Sequence, residues 1–287
     1  MRIVEPQHLS RIKKNPKSKS HKKLIYFFIV TVIALLFFAL FSNSKKSNDH
    51  QLAENNSLNQ NTIQPPVEII PKTGLRNFSG NEFRLLYDNI LLPNTEKIPL
   101  PPEITSNDTA DTRIRQLAGN RGYKLRLVSS SVLPTIDGIP LQPQLHTKWK
   151  LLQQDALSEG LQMSIVSAYR SIDDQRTLFL SRLRAEGVSI NDVVSGSADA
   201  EVIRVLVTSA IPGYSKHHSG YTFDLLCSGW EFEDFKNSPC NSWLETNNYE
   251  KAKKYGFIPS YPIDADLQGP DPEAWEYVYV GDEVLNY

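Results

Sequence analysis

The sequence contains very little cysteine and almost no net charge. Its two cysteines, Cys227 and Cys240, have no second pair, which argues against a metal site built from cysteine. The formal net charge is −1. Residues 1–23 carry eight Lys and Arg against one Glu, which is +7, so the remaining residues together carry −8. Because phosphate contacts need a positive surface, this balance argues against nucleic acid as a partner.

Long apolar runs are absent too, with one exception. Residues 24–41 (LIYFFIVTVIALLFFALF) form a run of 18 uncharged residues, and a helix needs about 20 apolar residues to cross a bilayer. With the basic arm of residues 1–23 before it, this run predicts a transmembrane signal-anchor over 24–42 in the cytoplasmic membrane. Everything after this single pass is then expected on the extracytoplasmic (periplasmic) side. A cleaved signal peptide is the alternative, although no small-residue cleavage site follows Phe41.

Both cysteines lie on the predicted extracytoplasmic side, where disulfides persist. A bond between Cys227 and Cys240 would close a loop of about 14 residues and stabilise the fold by about 3 kcal/mol in the chain-entropy model. We therefore expect a disulfide, and two free thiols are the alternative.

Composition divides the chain after the anchor into three parts. Residues 43–75 are rich in Asn, Gln, Ser and Lys without periodic apolar residues, which predicts a flexible polar linker. Residues 76–110 contain Pro93, Pro99, Pro101 and Pro102, and predict a proline-rich strap with a short helix near 82–89. Residues 111–287 have the periodic patterns of one globular domain and are numerous enough to bury a core.

The periodicity of residues 111–287 predicts a single α+β domain. Helices are predicted over 111–120, 143–159, 173–185, 198–208 and 242–255, and strands over 123–129, 161–168, 221–226 and 275–280. In the second helix Leu145, Trp149, Leu152 and Ala156 form one apolar face. Because the strands that carry the motifs come late, we expect a small, mostly antiparallel sheet flanked by helices rather than a doubly wound parallel sheet.

A histidine and an aspartate lie seven residues apart, with a glycine between them. His217 is predicted in a loop and Asp224 in the strand that follows it. Gly220 permits a tight turn, so both side chains can face the same point. Neutral imidazole and carboxylate are standard zinc ligands. A surface His–Asp pair is the alternative for these two residues taken alone.

Two glutamates, Glu273 and Glu276, lie three residues apart before the last predicted strand. In a regular strand they would point to opposite faces, but in a turn that leads into a strand they can converge. Trp275 would then pack beneath them. An acidic loop before an aromatic edge strand is the alternative.

An arginine follows the predicted strand 161–168. Tyr169, Arg170 and Ser171 stand at its end, with Gln175 one turn into the next helix. The planar fork of arginine binds a carboxylate through two hydrogen bonds. This pattern predicts a carboxylate clamp, and a surface arginine that caps a helix is the alternative.

Together these motifs resemble the D-alanyl-D-alanine carboxypeptidase family of VanY type, zinc peptidases that trim peptidoglycan stem peptides. The resemblance covers roughly residues 111–281. Its elements are Tyr169-Arg170-Ser171 with Gln175, Ser215 with His217 and Asp224, Trp243-Leu244, Tyr255-Gly256-Phe257, Tyr261-Pro262, Glu273 with Glu276, and Tyr279-Val280-Gly281.

The resemblance implies a role for each matching residue. His217 and Asp224 would be ligands of Zn²⁺, with Glu276 at the position of the third ligand. Glu273 would be the general base for the attacking water, and Arg170 would stabilise the oxyanion or hold the substrate. The residues implied to lie near the substrate are Ser215, Gln175, Tyr169 and Ser171. The implied reaction is hydrolysis of the D-Ala-D-Ala bond of a peptidoglycan stem peptide.

The chain departs from the family pattern at Glu276, where the family has histidine. A His-Asp-Glu set is more anionic and harder than His-Asp-His, so it should tolerate Mn²⁺ or another divalent cation better. His218 could replace the missing ligand only if adjacent residues converged, and on an extended segment they diverge. Two hypotheses follow: an active metallocarboxypeptidase with an altered third ligand, or a non-catalytic relative that binds cell-wall peptides or a partner protein.

Overall fold

The computed structural model describes residues 74–287. Within this range no helix combines the length and the apolar character that crossing a membrane requires. The predicted basic arm at 1–23, the anchor at 24–42 and nearly all of the predicted linker at 43–75 lie outside the described residues. Residues 74–287 all fall within one compact unit.

The described residues contain seven α-helices. In chain order they are α1 (Gly80–Asn89), α2 (Asp108–Asn120), α3 (Pro143–Ser158), α4 (Ile172–Ala185), α5 (Ile190–Ser195), α6 (Asp199–Thr208) and α7 (Pro239–Lys253). Short 3₁₀ turns cover Lys216–Ser219, Phe232–Asn237 and Glu283–Leu285.

The strands are short and pair antiparallel. They are β1 (Thr95–Lys97), β2 (Leu127–Ser129), β3 (Thr135–Ile136), β4 (Ile139–Pro140), β5 (Met163–Ser167), β6 (Thr222–Cys227), β7 (Phe257–Pro259) and β8 (Glu276–Tyr279). Strands β5, β6, β8 and β7 form a four-stranded sheet in that order, whereas β1–β2 and β3–β4 are separate two-stranded ribbons. The α+β architecture with a small antiparallel sheet is therefore as predicted.

The interior consists of two apolar clusters. One lies around the four-stranded sheet and includes Trp149 and Phe223, whose ring centroids are 5.9 Å apart. The other lies among the helices and includes Ile114, Phe179 and Leu206, all fully buried. The candidate site described below lies where the sheet meets this helical part.

The predicted apolar face of α3 is confirmed, because all four of its apolar residues are buried. Two other predicted elements need correction. The strand predicted over 123–129 is limited to Leu127–Ser129, since Tyr123 is buried in the helical cluster and its hydroxyl donates to the Leu206 carbonyl at 2.7 Å. The helix predicted over 242–255 begins at Pro239 and is interrupted at Thr246–Tyr249, where the backbone is not helical.

Several short elements were not predicted: the ribbon strands β1, β3 and β4, and also α5 and β7. Helix α5 lies in a segment that was predicted as a loop, and Ser189 starts it with a capping box to Asp192. Strand β7 follows Gly256 directly and pairs with β8. Both are too short for a periodic pattern to show in the sequence.

The predicted strap packs against the sheet domain. Its helix α1 is capped by Ser79 and buries Phe83, which is 1% exposed, in the apolar cluster of the sheet. At Gly80 a side chain would place its Cβ 2.0 Å from the Ile263 carbonyl oxygen. The backbone of α1 therefore packs directly against the backbone of residues 263–265, with no room for a side chain between them.

Cys227 and Cys240 form a disulfide. The bond joins the last residue of β6 to the first turn of α7, and both cysteines are buried in the apolar cluster of the sheet.

Candidate metal centre

His217 is held by a compact turn. Ser215 caps the 3₁₀ turn, and its hydroxyl accepts a hydrogen bond from the His217 amide at 3.3 Å. Gly220 ends the turn with φ +72°, where a side chain would be strained and would place its Cβ 2.3 Å from Leu133 Cδ1. The chain then enters β6, which carries Asp224.

Glu273 and Glu276 converge because the chain turns between them. The Glu276 amide donates to the Glu273 carbonyl at 3.2 Å, and Glu276 is the first residue of β8. In the sheet Glu276 pairs directly with Asp224 of β6. Of the two geometries that the sequence allowed, the turn is the one observed.

Three side chains meet in one buried cluster. His217 Nε2 lies 3.1 Å from Glu276 Oε2 and 3.6 Å from Asp224 Oδ1. One ligand atom from each residue lies within 4.8 Å of those of the other two. Tetrahedral zinc with bonds of about 2.0–2.2 Å separates its donor atoms by roughly 3.4 Å, so small movements would bring these three atoms onto one ion.

The orientation of His217 suits metal binding. Its Nδ1 lies 2.5 Å from the Ala168 carbonyl oxygen, which can only accept, so Nδ1 carries the proton. Nε2 is left to face the two carboxylates. A backbone carbonyl that fixes the tautomer of a ligating histidine is a common feature of metal sites.

Two buried carboxylate oxygens in the cluster have no hydrogen-bond partner among the described residues. They are Asp224 Oδ1 and Glu276 Oε1, on residues that are 8% and 3% exposed. A buried anionic oxygen without a partner is costly. A divalent cation bound between them and His217 Nε2 would satisfy both, so these residues fit the metal ion that the sequence motifs imply.

The pKa shifts in the cluster also indicate a site that suits a cation. Burial alone would lower the pKa of His217, but the charges of Asp224 and Glu276 raise it to about 9. Burial and the neighbouring carboxylates raise the pKa of Glu273 to about 9. Burial opposes ionisation of Glu276, but the hydrogen bond and charge of His217 outweigh it and lower its pKa to about 2. These shifts arise because buried carboxyl groups crowd one imidazole, and a divalent cation would neutralise the same field.

Arg170 lies beside the cluster and is held in place. Its amide donates to the His217 carbonyl at 3.3 Å, and its Nη1 donates to Gln175 Oε1 at 3.0 Å. Gln175 is 1% exposed and donates in turn to the Ala210 carbonyl at 2.6 Å. The guanidinium is therefore fixed in orientation, as a binding group must be.

All of these groups open onto one cavity of about 340 Å³. The sequence-predicted residues that line it are Arg170, Gln175, Ser215, His217, Asp224, Glu273 and Glu276. The structure thus brings together, around one cavity, the predicted metal ligands, the predicted base and the predicted clamp.

Tyr169 and Ser171, predicted to lie near the substrate, do not line this cavity. Ser171 instead caps α4, where its hydroxyl accepts from the Asp174 amide at 3.0 Å. The Tyr169 amide donates to the Pro140 carbonyl at 3.0 Å. The two residues hold the ends of the segment that carries Arg170.

His218 points away from the cluster, as expected for the neighbour of a ligand. Its Nε2 accepts a hydrogen bond from the Gly213 amide at 3.0 Å, and its Nδ1 lies 2.7 Å from the Arg170 carbonyl oxygen. Both ring nitrogens are used, so His218 does not replace the missing histidine.

Two cations in the cavity wall were not predicted. Lys216 is 3% exposed, and burial lowers its pKa to about 7 against the opposing charge of Glu276. Arg182 donates through Nη1 to the Thr208 carbonyl at 2.5 Å. Arg182 follows Gln175 by seven residues on α4, and that helical spacing could have indicated a shared face. A lysine beside His217 carries no such signal, because lysines are mostly exposed.

The fold and the cluster define a class of protein. A small antiparallel sheet that presents imidazole and carboxylate ligands to an open cavity, with a further glutamate beside them, is typical of a metallopeptidase. The family model "VanY: D-alanyl-D-alanine carboxypeptidase" matches residues 138–282. The chain belongs to this family.

Comparison with individual proteins gives partial matches. "Putative carboxypeptidase YodJ" of Bacillus subtilis (strain 168) is 29% identical over 136 residues, which is 46% of this chain and 43% of YodJ. The chain therefore aligns with less than half the length of this curated relative.

Three solved structures match about half of this chain. The LdcB LD-carboxypeptidase is 26% identical with a TM-score of 0.41 and covers 50% of this chain and 61% of its own. VanYB in complex with D-alanine-D-alanine is 21% identical with a TM-score of 0.39 and covers 53% and 79%. A mutant of the vancomycin resistance D,D-pentapeptidase VanY in complex with Zn(II) is 21% identical with a TM-score of 0.38 and covers 54% and 86%.

Proposed function

We propose that the protein is a metal-dependent carboxypeptidase that removes the terminal D-alanine from peptidoglycan stem peptides ending in D-Ala-D-Ala. The observation that carries the proposal is the buried cluster of His217, Asp224 and Glu276, in which two carboxylate oxygens have no hydrogen-bond partner within residues 74–287. Membership of the VanY family supports the substrate class.

In this proposal His217, Asp224 and Glu276 hold Zn²⁺, or Mn²⁺ in its place. A bound ion of this kind polarises the scissile carbonyl and lowers the pKa of water. When the imidazole is neutral, the Ala168 carbonyl holds its proton on Nδ1 and leaves Nε2 to bind the ion.

Glu273 is proposed as the general base. It lines the cavity beside the cluster, and its carboxylate can take a proton from the attacking water and pass it to the leaving amine. Repulsion from the Glu276 and Asp224 carboxylates contributes to its high pKa. A dication in the cluster would oppose that repulsion and favour the ionised base.

Arg170 is proposed to bind a negative charge of the substrate, either the developing oxyanion or the terminal carboxylate. Gln175 orients the guanidinium from one side at 3.0 Å. The remaining donors of its planar fork are then available to two oxygens of one group.

The test is release of D-alanine from a muropeptide that ends in D-Ala-D-Ala, measured with the full-length protein in zinc or manganese. Glu273→Gln should abolish release while the fold is retained. Glu283→Gln is the matched control, because Glu283 is an exposed glutamate in the same C-terminal segment. Absence of release by the wild-type protein with every divalent metal tried would contradict the proposal.

A non-catalytic relative that binds cell-wall peptides is a second candidate. Glu276 favours it, because glutamate stands where the family resemblance implies a histidine ligand. This candidate predicts measurable affinity for stem peptides, with weak metal binding. Tight binding of one zinc ion per chain, measured by metal analysis of the purified protein, would count against it.

We also propose that residues 24–42 anchor the protein in the cytoplasmic membrane with residues 43–287 outside. The support is the sequence alone: an uncharged run of 18 residues after a basic arm. Deletion of residues 1–43 should move the protein out of the membrane fraction. Retention of the deleted form in membranes, under conditions that extract peripheral proteins, would contradict this topology.

A further inference from the structure

Lys216 places a cationic group inside the wall of the metal cluster. Only 3% of the residue is exposed. Its Nζ donates to the Ser260 carbonyl at 2.5 Å and to Gln268 Oε1 at 3.3 Å, and lies 3.5 Å from the centroid of the Tyr261 ring. The two acceptor oxygens and the aromatic face favour the ammonium form and oppose the effect of burial, which favours the neutral amine.

The position of the Lys216 ammonium is fixed by the two segments that carry His217 and Glu276. Lys216 immediately precedes His217 in the 3₁₀ turn. The residue that accepts its hydrogen bond, Ser260, donates its own amide to the Glu276 carbonyl at 3.0 Å. Lys216 and Glu276 also line the same cavity. The side chain therefore links the segment that carries one ligand to the segment that carries another.

The charge of the centre explains why a cation would be useful there. A dication held by one neutral imidazole and two carboxylates has no net charge. With a second neutral imidazole at position 276 the same centre would carry +1. The exchange to glutamate therefore removes one positive charge from a site where negative charge develops on the carbonyl oxygen of the substrate.

We propose that Lys216 restores the positive charge that glutamate at position 276 removes, and so stabilises the negative charge that develops on the substrate during hydrolysis. The inference rests on the proposed function for its catalytic consequence. Its electrostatic part concerns the metal centre alone and can be measured without turnover.

The substitution Lys216→Met separates charge from packing, because methionine fills much of the same space without the ammonium. Loss of a like charge beside the cluster should tighten Zn²⁺ binding at least tenfold, measured by competition with a chelator on the full-length protein. The same substitution should lower kcat for the muropeptide at least tenfold. Structural damage to the site would instead weaken binding and turnover together.

Lys253→Met is the matched control. Lys253 is also a buried lysine, 1% exposed, but its Nζ donates to the Arg76 carbonyl and to Asn248 Oδ1 and does not line the cavity. The Lys253→Met variant should have a dissociation constant for Zn²⁺ and a kcat within about twofold of the wild-type values.

A second pair of variants tests the coupling to Glu276. In a Glu276→His background the centre regains its charge, so Lys216→Met should reduce kcat by a smaller factor than in the wild type. An unchanged or weaker affinity for Zn²⁺ in Lys216→Met would overturn the inference, as would an equal loss of kcat in both backgrounds. If the wild type proved inactive but Lys216→Met bound Zn²⁺ more tightly, the proposed function would fail and the electrostatic role of Lys216 would stand.

Discussion

Substitution of Glu276 by glutamine tests whether the buried cluster is a metal site. In the wild type Glu276 Oε2 lies 3.1 Å from His217 Nε2, and Oε1 has no hydrogen-bond partner in the described part of the chain. Glutamine keeps the volume but removes the charge and turns one oxygen into an NH₂ group, which cannot bind a cation. An anionic ligand is thereby replaced by a neutral amide, which is a much weaker ligand for Zn²⁺.

The expected effect can be worked out as a shift in thermal stability. Zinc at 100 times its dissociation constant stabilises the folded wild type by about 2.7 kcal/mol. At about 2–4 °C per kcal/mol for a domain of this size, the unfolding temperature rises by roughly 5–11 °C. If this replacement weakens binding about 100-fold, the same zinc concentration stabilises Glu276→Gln by only about 0.4 kcal/mol, or roughly 1–2 °C.

The assay is thermal unfolding of each protein in chelator and in zinc. The zinc-induced shift is the quantity to compare, because the two proteins differ without metal as well. In chelator Glu276→Gln should unfold at a lower temperature than the wild type, because Glu276 is the buried partner of His217 and its lowered pKa means that its charge stabilises the fold. Glu276→His should keep a large shift, and the exposed-site variant Glu283→Gln should behave as the wild type. The reasoning is refuted if zinc does not shift the wild type, or shifts Glu276→Gln equally.

Three further predictions concern the scaffold, and all are measured by chemical denaturation of the metal-free protein. Replacing both Cys227 and Cys240 by serine should cost about 3 kcal/mol, because a loop of about 14 residues is released in the unfolded chain. Gly220→Ala should cost at least about 1 kcal/mol, because the new Cβ would be strained and would meet a side-chain carbon at 2.3 Å. Asp88→Asn should cost about 3 kcal/mol, because it leaves the buried Arg126 guanidinium, 2.6 Å away on a residue that is 7% exposed, without its counter-charge.

Matched variants make these predictions specific. Gly138→Ala shares the positive φ of Gly220 but has no atom within 4 Å of the new Cβ, so it should show only the backbone strain. Glu186→Gln removes an exposed ion pair with Arg204 and should change stability by no more than about 0.5 kcal/mol. A cost for Asp88→Asn no larger than that of Glu186→Gln would contradict the importance of the buried pair.

The Asp88 pair also predicts a pH dependence. Burial raises the pKa of Asp88, but hydrogen bonds from Lys124 and Arg126 outweigh it and leave the pKa below its ordinary value. The stabilisation is therefore present above the ordinary pKa of an aspartate, about 3.9, and is lost as the pH falls through the lower folded-state value. The free energy of unfolding of the wild type and of Asp88→Asn should be measured by denaturation between pH 6 and pH 2. The difference between the two free energies should become smaller towards pH 2.

The parts of the fold that could be predicted are those with a long or distinctive local pattern. The face of α3 could be predicted because its apolar residues recur over about three turns of one helix. The convergence of Glu273 and Glu276 depended on a turn, and the sequence allowed this turn without requiring it. The turn is fixed by the pairing of Glu276 with Asp224 in the sheet. The two residues are 52 positions apart, so a local sequence pattern cannot predict this contact.

The interruption of α7 was missed for a tertiary reason. Asn247, Asn248 and Tyr249 adopt positive φ, a conformation that asparagine tolerates better than most residues. Asn248 is held there by hydrogen bonds in both directions with the Phe78 backbone, at 2.8 and 2.7 Å. Phe78 lies 170 residues away in the sequence. The local helix propensity was therefore overridden by a tertiary contact that a local sequence pattern cannot predict.

The direct pairing of Asp224 with Glu276 determines how this centre can change over evolutionary time. A strand places alternate residues on opposite faces, so an insertion or deletion that shifted β8 by one position would turn its ligand away. A point substitution leaves the backbone ladder in place, and the new side chain inherits the position of the old one. Ligand identity at position 276 is therefore open to single mutations, whereas ligand position is conserved by the hydrogen bonds of the sheet.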